Sequence, residues 1–409
     1  MVLLFNKNNM QFWRLCTRQI ATTQIRWLNI NQNSMKTPNA SLDRISSERG
    51  TAWNSKFLIS AEKYKEFLDL FPVVVNDVTN NTTNPQFAEA NTRCEELLHY
   101  LAPFGKKLRG FITFIAYEVL EKPENLTPGN RKLAMLMAWA LELMQTASLI
   151  ADDIIDEGVM QRGSLCWHRK KNIGFKAVND ALLLEQVPYL LLRKYFRNHH
   201  CYVPSMLLLH DIAMRTCLGE VADCLSVKDG KPQLQLFTMD RFKRIAEHKT
   251  GFYTFYLPIA LAMYMANIYD LELHRKSEDL SKDLAFLYQV QDDFIDCYGN
   301  PEKSGKKGTD IQEGKCTWLA VMAMKKGNHS QIETMKQCYG STDPEAITTV
   351  LNLFEELNLK DIYQSSVDES VNHIRKNITQ NISNENLQAI YFKILKAIEQ
   401  RFCSAITSA

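Results

Sequence analysis

Glycine and proline are scarce in this chain, 16 and 12 among 409 residues, and no segment of useful length alternates apolar with polar residues. All-β sandwiches and barrels need both turn residues and period-two strands, so they are excluded. None of the ten cysteines forms a C-x-x-C pair, and none of the nine histidines falls in an H-E-x-x-H spacing. That removes thioredoxin-like redox chemistry and the common zinc sites, and leaves the cysteines as reduced thiols. No run approaches the roughly 20 uninterrupted apolar residues that cross a bilayer. The net charge of +2 gives no reason to expect a nucleic-acid partner. Acidic residues are missing from positions 1–42, where Lys7, Arg14, Arg18, Arg26 and Lys36 stand among scattered apolar residues before Asp43. Such composition is that of a transit peptide. Residues 1–42 are therefore expected to be a mitochondrial targeting extension; the plainer reading is a disordered tail, and Met35 offers a second start for a shorter cytoplasmic form. Residues 43–409 carry helical periodicity with no internal boundary, so one large all-α domain is expected.

What the chain does have is one acidic pattern, twice: Asp152-Asp153-Ile154-Ile155-Asp156 and Asp292-Asp293-Phe294-Ile295-Asp296. At 3.6 residues per turn the first and fifth aspartates of each share a helix face, with the second beside them. Like charges this close raise one another's pKa unless something positive sits between them. Two facing clusters thus make a trap for a divalent cation. Hard oxygen donors with open positions suit Mg²⁺, which keeps several waters and completes its shell with phosphate oxygens. The expected ligand is a phosphate ester or diphosphate.

Basic residues stand where a polyphosphate needs them. Lys106 and Arg109 share a helical face at three-residue spacing within Phe104–Gly110. Arg162 follows the first acidic cluster. Behind the second comes Gly305-Lys306-Lys307-Gly308-Thr309-Asp310 and then Lys315, and glycines beside Lys306 allow backbone to approach a ligand closely.

With these residues assembled, the chain resembles the farnesyl diphosphate synthases and their relatives, the (E)-isoprenyl diphosphate synthases, from about Glu62 to Arg401. Trp139-Ala140-Leu141-Glu142-Leu143-Met144-Gln145 is similar to the helix leading into that family's first aspartate-rich motif. Lys249-Thr250-Gly251-Phe252-Tyr253-Thr254-Phe255-Tyr256-Leu257-Pro258 is similar to its central K-T-x-x-Y-x-F-Y-L-P segment. Tyr288-Gln289-Val290-Gln291 with the second cluster, and Gly308-Thr309-Asp310-Ile311-Gln312 after it, resemble its second motif. The resemblance implies an all-α prenyl-synthase bundle with both motifs facing a central cavity, working as a homodimer on a small isoprenyl diphosphate. It implies metal ligands among Asp152, Asp153, Asp156, Asp292, Asp293 and Asp296, with three Mg²⁺ ions. Lys249, Lys306, Thr250 and Gln289 would be catalytic, and Tyr288 and Lys315 would contact substrate. A cation shared between Asp152, Asp156, Asp292 and the diphosphate would neutralise the leaving group, and Lys249 and Lys306 would add fixed charge. Phe252, Tyr253, Phe255, Tyr256 and Tyr288 are candidates to line a dry pocket in which a π face can hold a carbocation.

The resemblance further implies a second diphosphate site, for isopentenyl diphosphate, made by Lys106, Arg109, Gln145 and Arg162. Its surroundings depart from the family pattern: Phe104-Gly105-Lys106 stands for Gly-Gly-Lys, Gln161-Arg162-Gly163 for Arg-Arg-Gly, and Gly219-Glu220 for Gly-Gln. Leu108 is altered as well, and the terminus after Gln400-Arg401-Phe402-Cys403 is neutral rather than basic. Ala147 and Ser148 occupy two positions where farnesyl diphosphate synthases usually carry Phe, which opens the pocket to a C20 chain. We read these changes together as a terpene synthase that ionises and cyclises geranylgeranyl or farnesyl diphosphate. The alternative is a chain-elongating farnesyl or geranylgeranyl diphosphate synthase. A noncatalytic partner subunit would show loss of an aspartate motif, and both are intact.

Overall fold

The computed structural model describes residues 58–80, 87–300 and 308–406, with side chains to Arg401. The targeting extension expected over 1–42, and Lys306, lie outside the described residues. Everything described belongs to one compact unit, and apart from two short hairpins its regular elements are helical.

The central helix is the long one, here α5, Pro128–Ile155; before it come α1 (Ala61–Asp69), α2 (Phe71–Thr79), α3 (Ala88–Leu101) and α4 (Leu108–Leu120). Thr127 caps α5 by accepting from Asn130 N–H, and Pro128 fills the first turn, where its missing N–H costs nothing. From Ala134 to Ala147 every residue of α5 is buried, which only a helix surrounded by others can sustain. By length and composition this helix could cross a membrane, but 83% of its apolar window is buried within the protein. Trp139 anchors it: its indole stacks on Phe67 with centroids 4.4 Å apart and donates to Phe67 O at 2.8 Å.

Two helices, α6 (Ala177–Tyr195) and α7 (Tyr202–Cys224), follow a hairpin of β1 (Met160–Gln161) and β2 (Ser164–Leu165). The hairpin turn is Arg162-Gly163, both at positive φ, as a two-residue turn matching strand twist demands. A second hairpin pairs β3 (Val227–Lys228) with β4 (Lys231–Pro232). Next, α8 (Met239–Ile245) passes without a break through an eleven-residue π-helical segment, Ala246–Tyr256, into α9 (Leu257–Met265). Such wide turns concentrate at functional sites because they rotate side chains off the α-helical register. The π segment packs against α7 and against α10 (Leu271–Tyr298). Then come α11 (Asp310–Glu313), α12 (Trp318–Lys326), α13 (His329–Cys338), α14 (Pro344–Glu356) and α15 (Leu359–Asn381). The last, α16 (Glu385–Ile406), packs on α4, α10 and α15.

One face of α7 is not covered: Val203, Leu207, Met214, Leu218, Val221 and Leu225 are all exposed and recur at helical spacing. On α6, Val178 and Leu182 are exposed too.

Candidate active site

A cavity of about 770 Å³ opens between α4, α5, α7, the π segment and α10. Both acidic clusters reach it: the first at the C-terminal end of α5, the second near the C-terminal end of α10. Asp152, Asp156, Asp292, Asp293 and Asp296 line it, and so do Lys249, Thr250, Tyr288, Gln289 and Lys315.

Asp153 is not brought to the cavity. Its carboxylate is buried, accepts from Gln161 Nε2 at 2.9 Å, and burial pushes its pKa up to about 6 against the hydrogen bonds from Gln161 and Cys166. Gln161, one of the departures from the family pattern, therefore holds the back of the first cluster. Asp293 faces inward as well, accepting from Gln289 Nε2 at 2.8 Å and from Trp318 N–H, the first residue of α12, at 2.7 Å. Burial, with Asp310 beside it, holds its pKa well above the usual carboxylate range. Thr250 Oγ1 donates to Gln289 Oε1 at 3.2 Å. Thr250, Gln289 and Asp293 thus form a hydrogen-bonded relay from the π segment to α12. Asp296 accepts from the Thr309 and Asp310 N–H groups at 3.4 and 3.0 Å, pinning the start of α11. Asp152, Asp156 and Asp292 line the cavity paired instead with the side-chain cations Lys249, Lys315 and Arg401.

Lysines stand against the first cluster. Lys249 Nζ lies 2.7 Å from Asp223, 3.0 Å from Glu220 and 3.4 Å from Asp152. Burial lowers its pKa, but Asp223, Asp152 and Glu220 outweigh that and hold it well above the ordinary lysine value. The approach depends on Gly219, where a Cβ would stand 2.3 Å from Lys249 N. Lys315 Nζ bridges Asp156 and Glu313, each at 2.7 Å. Burial drives the pKa of Asp156 upward and Lys315 works against it. Among the described residues no three Asp, Glu, His or Cys side chains converge on one metal-holding point. A cation here would take few protein oxygens and complete its shell with water and phosphate, which is how Mg²⁺ is held at phosphate sites. The donor set fits that ion.

The four residues expected to hold a second diphosphate also line this cavity. Arg109 Nη2 donates to Tyr253 Oη at 2.5 Å and Thr254 Oγ1 at 2.7 Å, and its guanidinium lies 4.1 Å from the Tyr253 ring centroid. Tyr253 in turn donates to Gln145 Oε1 at 2.6 Å. Arg162 Nη1 donates to Leu101 O at 3.0 Å, its guanidinium crossing Gly105, where a Cβ would sit 2.5 Å from Nε. Lys106 is exposed beside them. Phe104 is buried, so the ring that replaces glycine packs into the wall. Lys107, which sequence reasoning passed over, is buried at positive φ and donates to Phe104 O. Burial and then Arg162 lower its pKa to about 7, with Glu142 opposing. No motif spacing marks that lysine.

Ala147 and Ser148 line the cavity, as do Ala181, Ala213 and Cys217. Of the five aromatics expected there, Tyr253 and Tyr288 line it, while Phe252, Phe255 and Tyr256 are buried in the core. The reason is the helical segment they share: only part of its circumference can face one cavity. Sequence reasoning also missed Arg401, which reaches the cavity from α16.

Comparison with known proteins agrees with this geometry. The polyprenyl synthetase family model matches residues 91–357. The farnesyl pyrophosphate synthase of Murgantia histrionica is 35% identical over 389 residues, 91% of this chain and 95% of that protein. Those of Gallus gallus and Homo sapiens are each 35% identical, over 82% and 79% of this chain and 92% and 77% of theirs. With two aspartate clusters on one cavity, a family model matched over more than half its length and relatives 35% identical over more than three quarters of it, this chain belongs to the polyprenyl synthetase family of isoprenoid-synthase-fold enzymes and is farnesyl diphosphate synthase-like.

Proposed function

We propose that the protein is a Mg²⁺-dependent prenyltransferase that joins isopentenyl diphosphate to an allylic diphosphate. The observation that carries this reading is the second cluster of cations: Lys106, Arg109 and Arg162 line the same cavity as the aspartates, and Tyr253 and Gly105 are built around them. A cyclase acting on one diphosphate has no use for that cluster. The relatives' names support the same reading, against the cyclase expected from the sequence departures. Two of those departures have structural parts to play, Gln161 in holding Asp153 and Phe104 in filling the wall.

Asp152, Asp156 and Asp292 would hold the cations, three in number by family resemblance, whose chemistry is to neutralise charge on the departing diphosphate. Lys249 and Lys315 supply fixed charge beside the same oxygens, in a partly dry site where it counts for more than in water. Tyr288 and Tyr253 offer π faces to the cationic chain. Ala147 and Ser148 leave room for a C20 product, and 770 Å³ lies toward the large end for ligand pockets. The uncovered stripe on α7 fits a homodimer interface. We further propose that residues 1–42 direct the protein to mitochondria.

The test is product analysis by gas chromatography and mass spectrometry of the full chain with Mg²⁺. Geranyl or farnesyl diphosphate plus isopentenyl diphosphate should give a longer prenyl diphosphate. A cyclic hydrocarbon from geranylgeranyl diphosphate alone, with no elongation, would replace this reading with the cyclase.

A further inference from the structure

Arg401 lies far from every recognisable motif, yet its guanidinium enters the cavity. It is 4% exposed, lies 4.1 Å from the Tyr288 ring centroid, and is 3.5 Å from Tyr288 O through Nη1. Its Nη2 donates to Asp292 Oδ1. A buried guanidinium is costly unless paired, and three contacts on α10 hold this one in place. Its partner is Asp292, whose side chain is 40% exposed. Asp293 is committed to Gln289 and Trp318, and Asp296 to Thr309 and Asp310.

A fixed positive charge therefore sits on the oxygen a cation would take. Resting on the reading of this cavity as a cation–diphosphate site, we propose that Arg401 is a positioning residue that makes cation binding at Asp292 conditional on diphosphate. A divalent ion arriving alone meets a guanidinium and a half-neutralised carboxylate. With a diphosphate present, the anion's oxygens accept the guanidinium's N–H groups and offset its charge, and Asp292 becomes a better ligand. The last helix thereby couples the two ligands' binding, which linkage makes reciprocal.

The experiment measures Mn²⁺ binding to the full-length protein by electron paramagnetic resonance, with and without inorganic pyrophosphate. The variants are Arg401→Met, which keeps bulk without charge, and Arg401→Lys, which keeps charge. The expected result is that Arg401→Met binds Mn²⁺ alone about thirtyfold more tightly than wild type, the effect of one charge on a divalent ion about 4 Å away in a water-like medium. The enhancement by pyrophosphate should fall by a similar factor, and Arg401→Lys should behave as wild type. Arg401→Gln serves the same purpose if the methionine variant does not fold. Unchanged or weaker binding of Mn²⁺ alone in the neutral variants overturns the proposal while leaving the site reading intact. Wild type showing no enhancement by pyrophosphate overturns both.

Discussion

Restoring aromatic rings at the cavity floor should shorten the product. Ala147 and Ser148 are adjacent on α5 and both line the cavity, with Ser148 donating back along its own helix to Met144 O at 3.2 Å. In Ala147→Phe/Ser148→Phe the rings would occupy the space otherwise taken by the last isoprene unit. That unit carries five carbons, and at about 0.8 kcal/mol per buried carbon its exclusion costs about 4 kcal/mol at most. Partial adjustment of the wall would reduce this to about 2 kcal/mol, still roughly a thirtyfold change in the ratio of C20 to C15 product. The assay is radiolabelled isopentenyl diphosphate incorporation, with products dephosphorylated and separated by chain length. Single substitutions should be intermediate. If the double variant folds, turns over and makes the same chain lengths as wild type, the hydrocarbon does not run past residues 147 and 148, and the floor has been misplaced.

Other outcomes follow from individual contacts. Gly105→Ala places a methyl group against Arg162 Nε at a positive φ, so it should raise KM for isopentenyl diphosphate about tenfold, leaving KM for the allylic substrate nearly unchanged in steady-state kinetics. Glu220→Gln removes one of three carboxylates on Lys249, so KM for the allylic diphosphate should fall severalfold; a rise would mean that Glu220 helps bind cations. Lys107 has a folded pKa near 7 against about 10.5 unfolded, so the unfolded chain binds more protons between those values and stability should climb as pH rises through that window. Lys107→Met should abolish that climb and stabilise the protein at pH 7 by on the order of 2 kcal/mol after loss of one hydrogen bond, as measured by urea unfolding. A variant that keeps the climb would place the titration elsewhere.

The doubled aspartate pattern was legible because local spacing alone puts its residues on one helix face, while the K-T segment of residues 249–258 and the helix before Asp152 were legible through the family resemblance. From these the all-α class followed, and most of the residues expected at the site line one cavity. Periodicity cannot say which way each carboxylate turns. Asp153 and Asp293 sit in the same pattern as Asp152 and Asp292, yet Gln161 and the start of α12 draw them inward. Those partners come from other elements, so their effect exists only once the bundle has closed. Gln161 and Phe104 looked like erosion when compared position by position; packed, one is a hydrogen-bond donor and the other a wall. Arg401, 109 residues beyond Asp292, belongs to no motif. Its place at Asp292 was decided by the packing of α16 on α10, a contact between segments too distant in the chain for any local pattern to encode.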